Sequence, residues 1–139
     1  MNSKSLNISL DFDSTLSRLD VQKFAIELKN KGIITWIVTS RQSTKIALEK
    51  GHNWVEKQNE ELYKIAEKCE IPKERIIFTE HAPKIEFLKD KNFLFHLDDD
   101  IDELLDIKIS KDSCAPINVN YFEWKEICEK LINDNLKNY

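Results

Sequence analysis

Three polar clusters in this chain carry residue types that can do chemistry: Asp11-Phe12-Asp13-Ser14-Thr15, Thr39-Ser40-Arg41 and Asp98-Asp99-Asp100. A carboxylate is already ionised at neutral pH, so unlike serine it can attack an electrophilic phosphorus without a separate base. A second carboxylate two residues on can protonate the departing oxygen and later take a proton from water. Gathering several such groups is costly. Carboxylates about 4 Å apart repel by roughly 4 kcal/mol per pair at an effective dielectric of 20. A hard divalent cation relieves that repulsion, and an all-oxygen ligand set favours magnesium over zinc. Such a cation also neutralises a bound phosphoryl group and lets an anionic nucleophile approach it.

The elements that must position these clusters are legible as alternating short apolar runs and amphipathic stretches, the pattern of an α/β fold with helices covering a parallel sheet. Strands are expected at Leu6–Leu10, Ile33–Val38, Ile76–Phe78 and Phe93–Leu97, with Pro116–Val119 as an edge strand, where proline is tolerated. A helix begins near Asp20, with Val21, Phe24, Ala25 and Leu28 on one face, and Gly32 closes it. A longer helix is expected over Trp54–Glu70, with Leu62, Ile65, Ala66 and Cys69 inward. Pro83 opens a short helix to about Asp90. Another short helix follows, with Ile101, Leu104 and Leu105 apolar. The tail from Tyr121 is expected to be helical and to pack through Phe122, Ile127, Cys128, Leu131 and Ile132. Each polar cluster follows a strand directly. In a parallel sheet the C-terminal strand ends share one edge, where ligands bind.

Composition sets limits on the alternatives. The 139 residues suit one domain, residues 1–139. A hydrophobic content of 41% with 33% charged residues suits a globular protein. No apolar run reaches the roughly 20 residues of a membrane span, and the first residues lack a secretory pattern. Twenty-five acids against 21 bases give a net charge of −4, without the overall basic footprint of a nucleic-acid binder. Two glycines, Gly32 and Gly51, cannot build a phosphate-cradling glycine loop. Phosphate would therefore be handled by side chains and a metal. Cys69, Cys114 and Cys128 have no metal-type spacing and are expected to be reduced, partly buried thiols of a cytoplasmic protein.

The ordered set of motifs resembles the haloacid dehalogenase superfamily of phosphotransferases, over roughly Leu6 to Asp106. DFDSTL is similar to its first motif, D-x-D-x-T. The resemblance implies a Rossmann-like three-layer sandwich and a Mg²⁺-dependent phosphatase in which Asp11 is nucleophile and metal ligand. Asp13 would be the general acid/base and would offer its backbone carbonyl to the metal. Thr39, in WIVTSR, matches the hydroxyl that binds phosphoryl oxygens, and Lys84, in HAPKIEFLK, matches the lysine that steadies phosphate and nucleophile. HLDDDID resembles the fourth, metal-binding motif, read either as Asp98 with Asp99 or as Asp98 with Asp102. About 25 residues separate the first two motifs, which implies an enzyme with little or no cap domain. WIVTSR and the acid pair most resemble the phosphatase half of polynucleotide kinase/phosphatase enzymes. The implied partner is a phosphorylated substrate, with a nucleotide or a polynucleotide end among the candidates.

Each residue also has a plainer reading. Asp11 and Asp13 could be ordinary turn acids. Ser40 is a phosphate-binding candidate whose leading plainer reading is the cap of a following helix. Arg41 could contact phosphate or be a surface charge, and Lys89 and Lys91 compete with Lys84 as the site lysine. Asp100 is expected to cap the following helix, with Glu103 completing a capping box. His52, His81 and His96 lack ligand spacing, and Trp36, Trp54 and Trp124 are expected to pack. Two rival functions share much of this pattern: a receiver-like phospho-acceptor domain and an inactive binding protein of the same fold.

Overall fold

β-branched and aromatic residues dominate the apolar runs, and each run forms a strand. In the computed structural model, which describes residues 5–136, these are β1 (Asn7–Leu10), β2 (Ile34–Thr39), β3 (Ile76–Phe78), β4 (Phe93–Asp98) and β5 (Ala115–Asn118). They form one five-stranded sheet in the order β3-β2-β1-β4-β5, with every neighbouring pair parallel. Helices α1 (Leu19–Asn30), α2 (Thr44–Glu49), α3 (Trp54–Lys68), α4 (Ile85–Leu88), α5 (Ile101–Ser110) and α6 (Trp124–Leu136) cover it. No helix among the described residues is long and apolar enough to cross a membrane.

The sheet separates two cores, which makes a three-layer α/β sandwich. Ile8, Leu10, Ile37 and Leu97 pack on one face against Phe24 and Leu28 of α1, Leu62 and Ala66 of α3, and Trp124 and Cys128 of α6. Val38 and Phe93 pack on the other face against Leu88 of α4 and Ile107 of α5. Helix α1 ends where Gly32 takes a left-handed φ of 79°. Gly32 N–H donates to Lys29 O at 3.0 Å and Ile33 N–H to Leu28 O at 3.0 Å, closing the last turn.

The chain leaves β1 for β2 and β3 on one side, then crosses back to β4 and β5 on the other. Strand order thus reverses between β1 and β4, which opens a crevice at their C-terminal ends. Strand β4 carries a local irregularity. Asn7 pairs with Phe93, but Ser9 pairs with His96, so one extra residue sits on β4. That residue turns Phe95 and Leu97 into the larger core and leaves His96 and Asp98 on the opposite face.

Several helical expectations need correction. Helix α2 was not anticipated, because its six residues are too few to show a periodic stripe. Helix α4 is shorter than expected. In α5 the buried residues are Leu104 and Ile107, while Ile101 and Leu105 are exposed. Helix α6 begins at Trp124 rather than Tyr121, and Phe122, expected to pack, is 82% exposed.

Candidate functional site

The crevice is built from the β1–β4 pairing outward. Asp11 N–H donates to Leu97 O at 2.9 Å, which continues the ladder one step and sets Asp11 beside Asp98. A wide turn follows, closed by Leu16 N–H to Asp11 O at 3.1 Å and Ser17 N–H to Phe12 O at 3.0 Å. Phe12 and Leu16 anchor it in the core. Ser14 takes a left-handed φ of 59° within it, an uncommon conformation for a residue with a Cβ. The turn brings Thr15 Oγ1 back to donate to Asp11 Oδ2 at 3.2 Å.

Lys84 enters the same crevice from the segment before α4. Its Nζ donates to Asp11 Oδ1 at 2.8 Å and to Asp98 Oδ2 at 2.6 Å, and its side chain is only 3% exposed. Lys84 is itself held, since its backbone N–H donates to Glu103 Oε2 at 3.1 Å. Glu103 therefore does not complete a capping box. Asp100 does cap α5 as expected, accepting from Asp102 N–H at 3.0 Å and Glu103 N–H at 3.3 Å. Lys89 pairs with Glu86 and Lys91 reaches Phe87 O, so Lys84 is the lysine in the crevice.

Beneath Asp98 lies a second hydrogen-bonded pair. His96 Nε2 is 2.7 Å from Asp98 Oδ2, and His96 Nδ1 is 2.7 Å from Ser9 Oγ. Burial pushes the His96 pKa down, so the ring is neutral. An ionised carboxylate can only accept, so Nε2 carries the hydrogen and Ser9 Oγ donates to Nδ1. Asp98 Oδ1 also accepts Asp100 N–H at 3.0 Å.

These contacts split the two buried carboxylates electrostatically. Burial pushes Asp11 up to about 8; Lys84 opposes that and Asp98 adds to it. Burial would raise Asp98 too, but His96 and Lys84 outweigh it and hold Asp98 well below the usual carboxylate range. Burial acts to lower the Lys84 pKa, yet Asp11 and Asp98 outweigh it and keep the ammonium charged.

Asp11, Asp98 and Asp99 each offer a carboxylate oxygen, and these atoms lie within 4.8 Å of one another. The oxygen-only donor set fits a hard cation, and the group could hold a metal ion. Asp102 stands outside it. The Asp13 carboxylate turns to the rim, where it accepts from Arg41 Nη2 at 2.7 Å and Nε at 3.0 Å. Arg41 is fixed in turn by Gln58 O at 2.8 Å and lies over the Phe12 ring at 4.9 Å. Thr39 is buried and its Oγ1 accepts Arg41 N–H at 3.3 Å, so it shapes the loop. Ser40 lines the crevice and caps no helix. The cap of α2 is Ser43, whose side chain accepts from Ile46 N–H.

No family model, curated protein or solved structure compared with the chain matches it.

Reasoning from sequence passed over Thr15, Ser9 and His96 as site residues. Thr15 stood inside the quoted D-x-D-x-T pattern. Ser9 and His96 were visible as polar residues in otherwise apolar strands, and buried polar groups need partners.

Proposed function

We propose that this chain is a Mg²⁺-dependent phosphohydrolase of the haloacid dehalogenase type, which cleaves phosphomonoesters through a phosphate ester on Asp11. The observation that carries this reading is the contact of one buried ammonium, Lys84, with both Asp11 and Asp98 at the strand-order reversal. A lysine drawn into an acid pocket with so little exposure provides an anchor for a phosphoryl group as well as for the nucleophile. The five-stranded parallel sheet, with acids at the ends of the adjacent strands β1 and β4, supports this reading.

Asp11 is oriented from both sides, by Lys84 at Oδ1 and Thr15 at Oδ2. Burial keeps Asp11 protonated in the metal-free site up to about pH 8, so the attacking form is the carboxylate that bound Mg²⁺ would favour. Its oxygen attacks phosphorus as the P–O bond to the leaving group breaks. Asp13, on leaving Arg41 and taking a proton from solvent, gives that proton to the leaving oxygen at the rim. In the second half Asp13 takes a proton from water, whose oxygen bonds to phosphorus as the P–O bond to Asp11 breaks. Inorganic phosphate is released and the Asp11 carboxylate is restored. Ser40, on the crevice wall, and Lys84 supply donors to the phosphoryl oxygens. Mg²⁺ held by Asp11 and Asp99, with Asp98 behind them and the Asp13 carbonyl as a further oxygen donor, would neutralise charge on the phosphoryl group. Asp99 is the better direct ligand, because Asp98 already accepts from Lys84, His96 and the Asp100 amide.

Hydrolysis of p-nitrophenyl phosphate tests this reading. Many turnovers per chain are expected with magnesium and none with chelator, which also separates a hydrolase from a receiver-like acceptor that stops at one phosphate. Asp13→Asn should bind inorganic phosphate normally and lose about a hundredfold or more in rate. Turnover indifferent to chelator, or a near-normal rate in Asp13→Asn, would contradict the mechanism.

A further inference from the structure

A second cleft of about 330 Å³ adjoins the acid crevice, lined by Arg41, His52, Trp54, Gln58 and His81 among others. Its character is opposite to that of its neighbour. The acid crevice is walled by aspartates, whereas among the described residues no carboxylate lines the second cleft. Trp54 was expected to pack but is 62% exposed. Its indole lies 5.0 Å from the His52 imidazole at an interplanar angle of 32°. His52 is fixed by Nδ1 against Gln42 Oε1 at 2.8 Å, and Gln42 is buried. The wall is thus built rather than loose: Asn59 ties the Gln42 carbonyl at 3.0 Å and the Thr44 hydroxyl at 3.2 Å to α3.

The two clefts meet at the Arg41–Asp13 ion pair. On the floor between them, His81 N–H donates to Ser40 O at 2.9 Å. In-line displacement places the leaving group opposite the Asp11 carboxylate, and Asp13, which lines the same crevice, must meet it there to act as its acid. A leaving group departing past Asp13 therefore meets Arg41 and then the aromatic pair.

We propose that this second cleft is the leaving-group subsite and that it takes a nucleobase, so that the substrate is a phosphomonoester of a nucleoside. The proposal rests on the phosphatase reading for its chemistry but not for its binding. A flat exposed indole is a surface on which any base can stack. The acid-free lining accepts an electron-rich ring, and the volume, at the low end for ligand sites, suits one base with its sugar. A free nucleotide and the end of a strand present this same chemistry.

The test uses the full chain, with adenosine 3′- and 5′-monophosphates as probes. In chelator, where no turnover occurs, each nucleotide should shift the Trp54 indole N–H resonance saturably. Trp54→Ala, at an exposed position, should fold normally and weaken nucleotide binding at least about fivefold, and Trp54→Phe should restore most of it. With magnesium, Trp54→Ala should lower kcat/KM for nucleotides by a similar factor and leave glycerol phosphate unchanged. A 3′-phosphorylated trinucleotide used no better than the monophosphate assigns the subsite to free nucleotides, and one used better assigns it to strand ends. An indole resonance unmoved at millimolar nucleotide, or an equal loss on glycerol phosphate, would overturn the subsite. A shifted indole without turnover of any ester would leave the subsite standing and remove the phosphatase reading instead.

Discussion

At the scale of single residues, the site places like charges together and offsets them only in part. Asp11, Asp98 and Asp99 bring carboxylate oxygens within 4.8 Å of one another. Only Asp11 and Asp98 touch the Lys84 ammonium, and burial pushes Asp11 from 3.8 up to about 8. The consequence for stability has a definite sign. Between about pH 4 and pH 8 the unfolded chain ionises Asp11 while the metal-free fold retains its proton, so the fold binds more protons and loses stability as pH rises. Asp98 behaves oppositely: its contribution is complete above the ordinary carboxylate range and is lost on acidification through the depressed folded value. Asp11→Asn should therefore raise the melting temperature in chelator at pH 8, with a smaller gain at pH 5, while it abolishes turnover. Scanning calorimetry at the two pH values checks this. A lower melting temperature in the variant at pH 8 would contradict the burial penalty assigned to Asp11.

At the scale of elements, the strands deliver chemistry because their registers place specific residues at one edge. Strand β4 shows this best. Its extra residue turns His96 onto the face of Ser9 and Asp98, where each ring nitrogen finds a partner. His96→Ala would strand the Ser9 hydroxyl and remove one donor from Asp98. It should cost about 1–3 kcal/mol, read as a lower urea midpoint at unchanged slope; a loss under about 0.5 kcal/mol would show that the pair is not a structural support. The five strands and the inward faces of α1 and α3 were legible, because buried strands and long amphipathic helices leave clear apolar patterns. Helix α2, the length of α4 and the exposed Phe122 were not legible. Six residues carry no period, and an aromatic side chain in sequence does not reveal whether the chain has turned it outward. Ser40 and Ser43 show the same limit. Either could cap a helix, and only the course of the loop decides for Ser43.

At the scale of the whole molecule, the two cores hold the sheet while the strand-order reversal leaves its C-terminal edge open. The convergence of Asp11 with Asp98 followed from strand ends that share one edge, and Lys84 from the motif resemblance; the strand order, and with it the switch point, came from the fold. The Arg41–Asp13 pair and the exposed Trp54 were not legible in the sequence, since both depend on how α2 and α3 fold back beside β2. The three cysteines sit inside the packed layers, away from this edge. Cys69, Cys114 and Cys128 are buried and free. Burial pushes the Cys114 thiol up to about 12, and Cys128 higher still. Native protein at pH 8 should therefore react slowly with a disulfide reagent, whereas all three thiols should react promptly in denaturant. Rapid reaction of any one in native protein would show that its layer opens. Neither outcome touches the catalytic reading, because these thiols lie outside the crevice.

That reading is tested most directly by trapping the covalent step. Protein turning over p-nitrophenyl phosphate with magnesium is quenched in acid and digested, and its peptides are weighed. A phosphoryl group is expected on the peptide containing Asp11 and absent from Asp11→Asn, and borohydride should reduce the labelled side chain to homoserine. Steady turnover with no phosphoryl group on that peptide, or with the group on a serine instead, would contradict nucleophilic attack by Asp11.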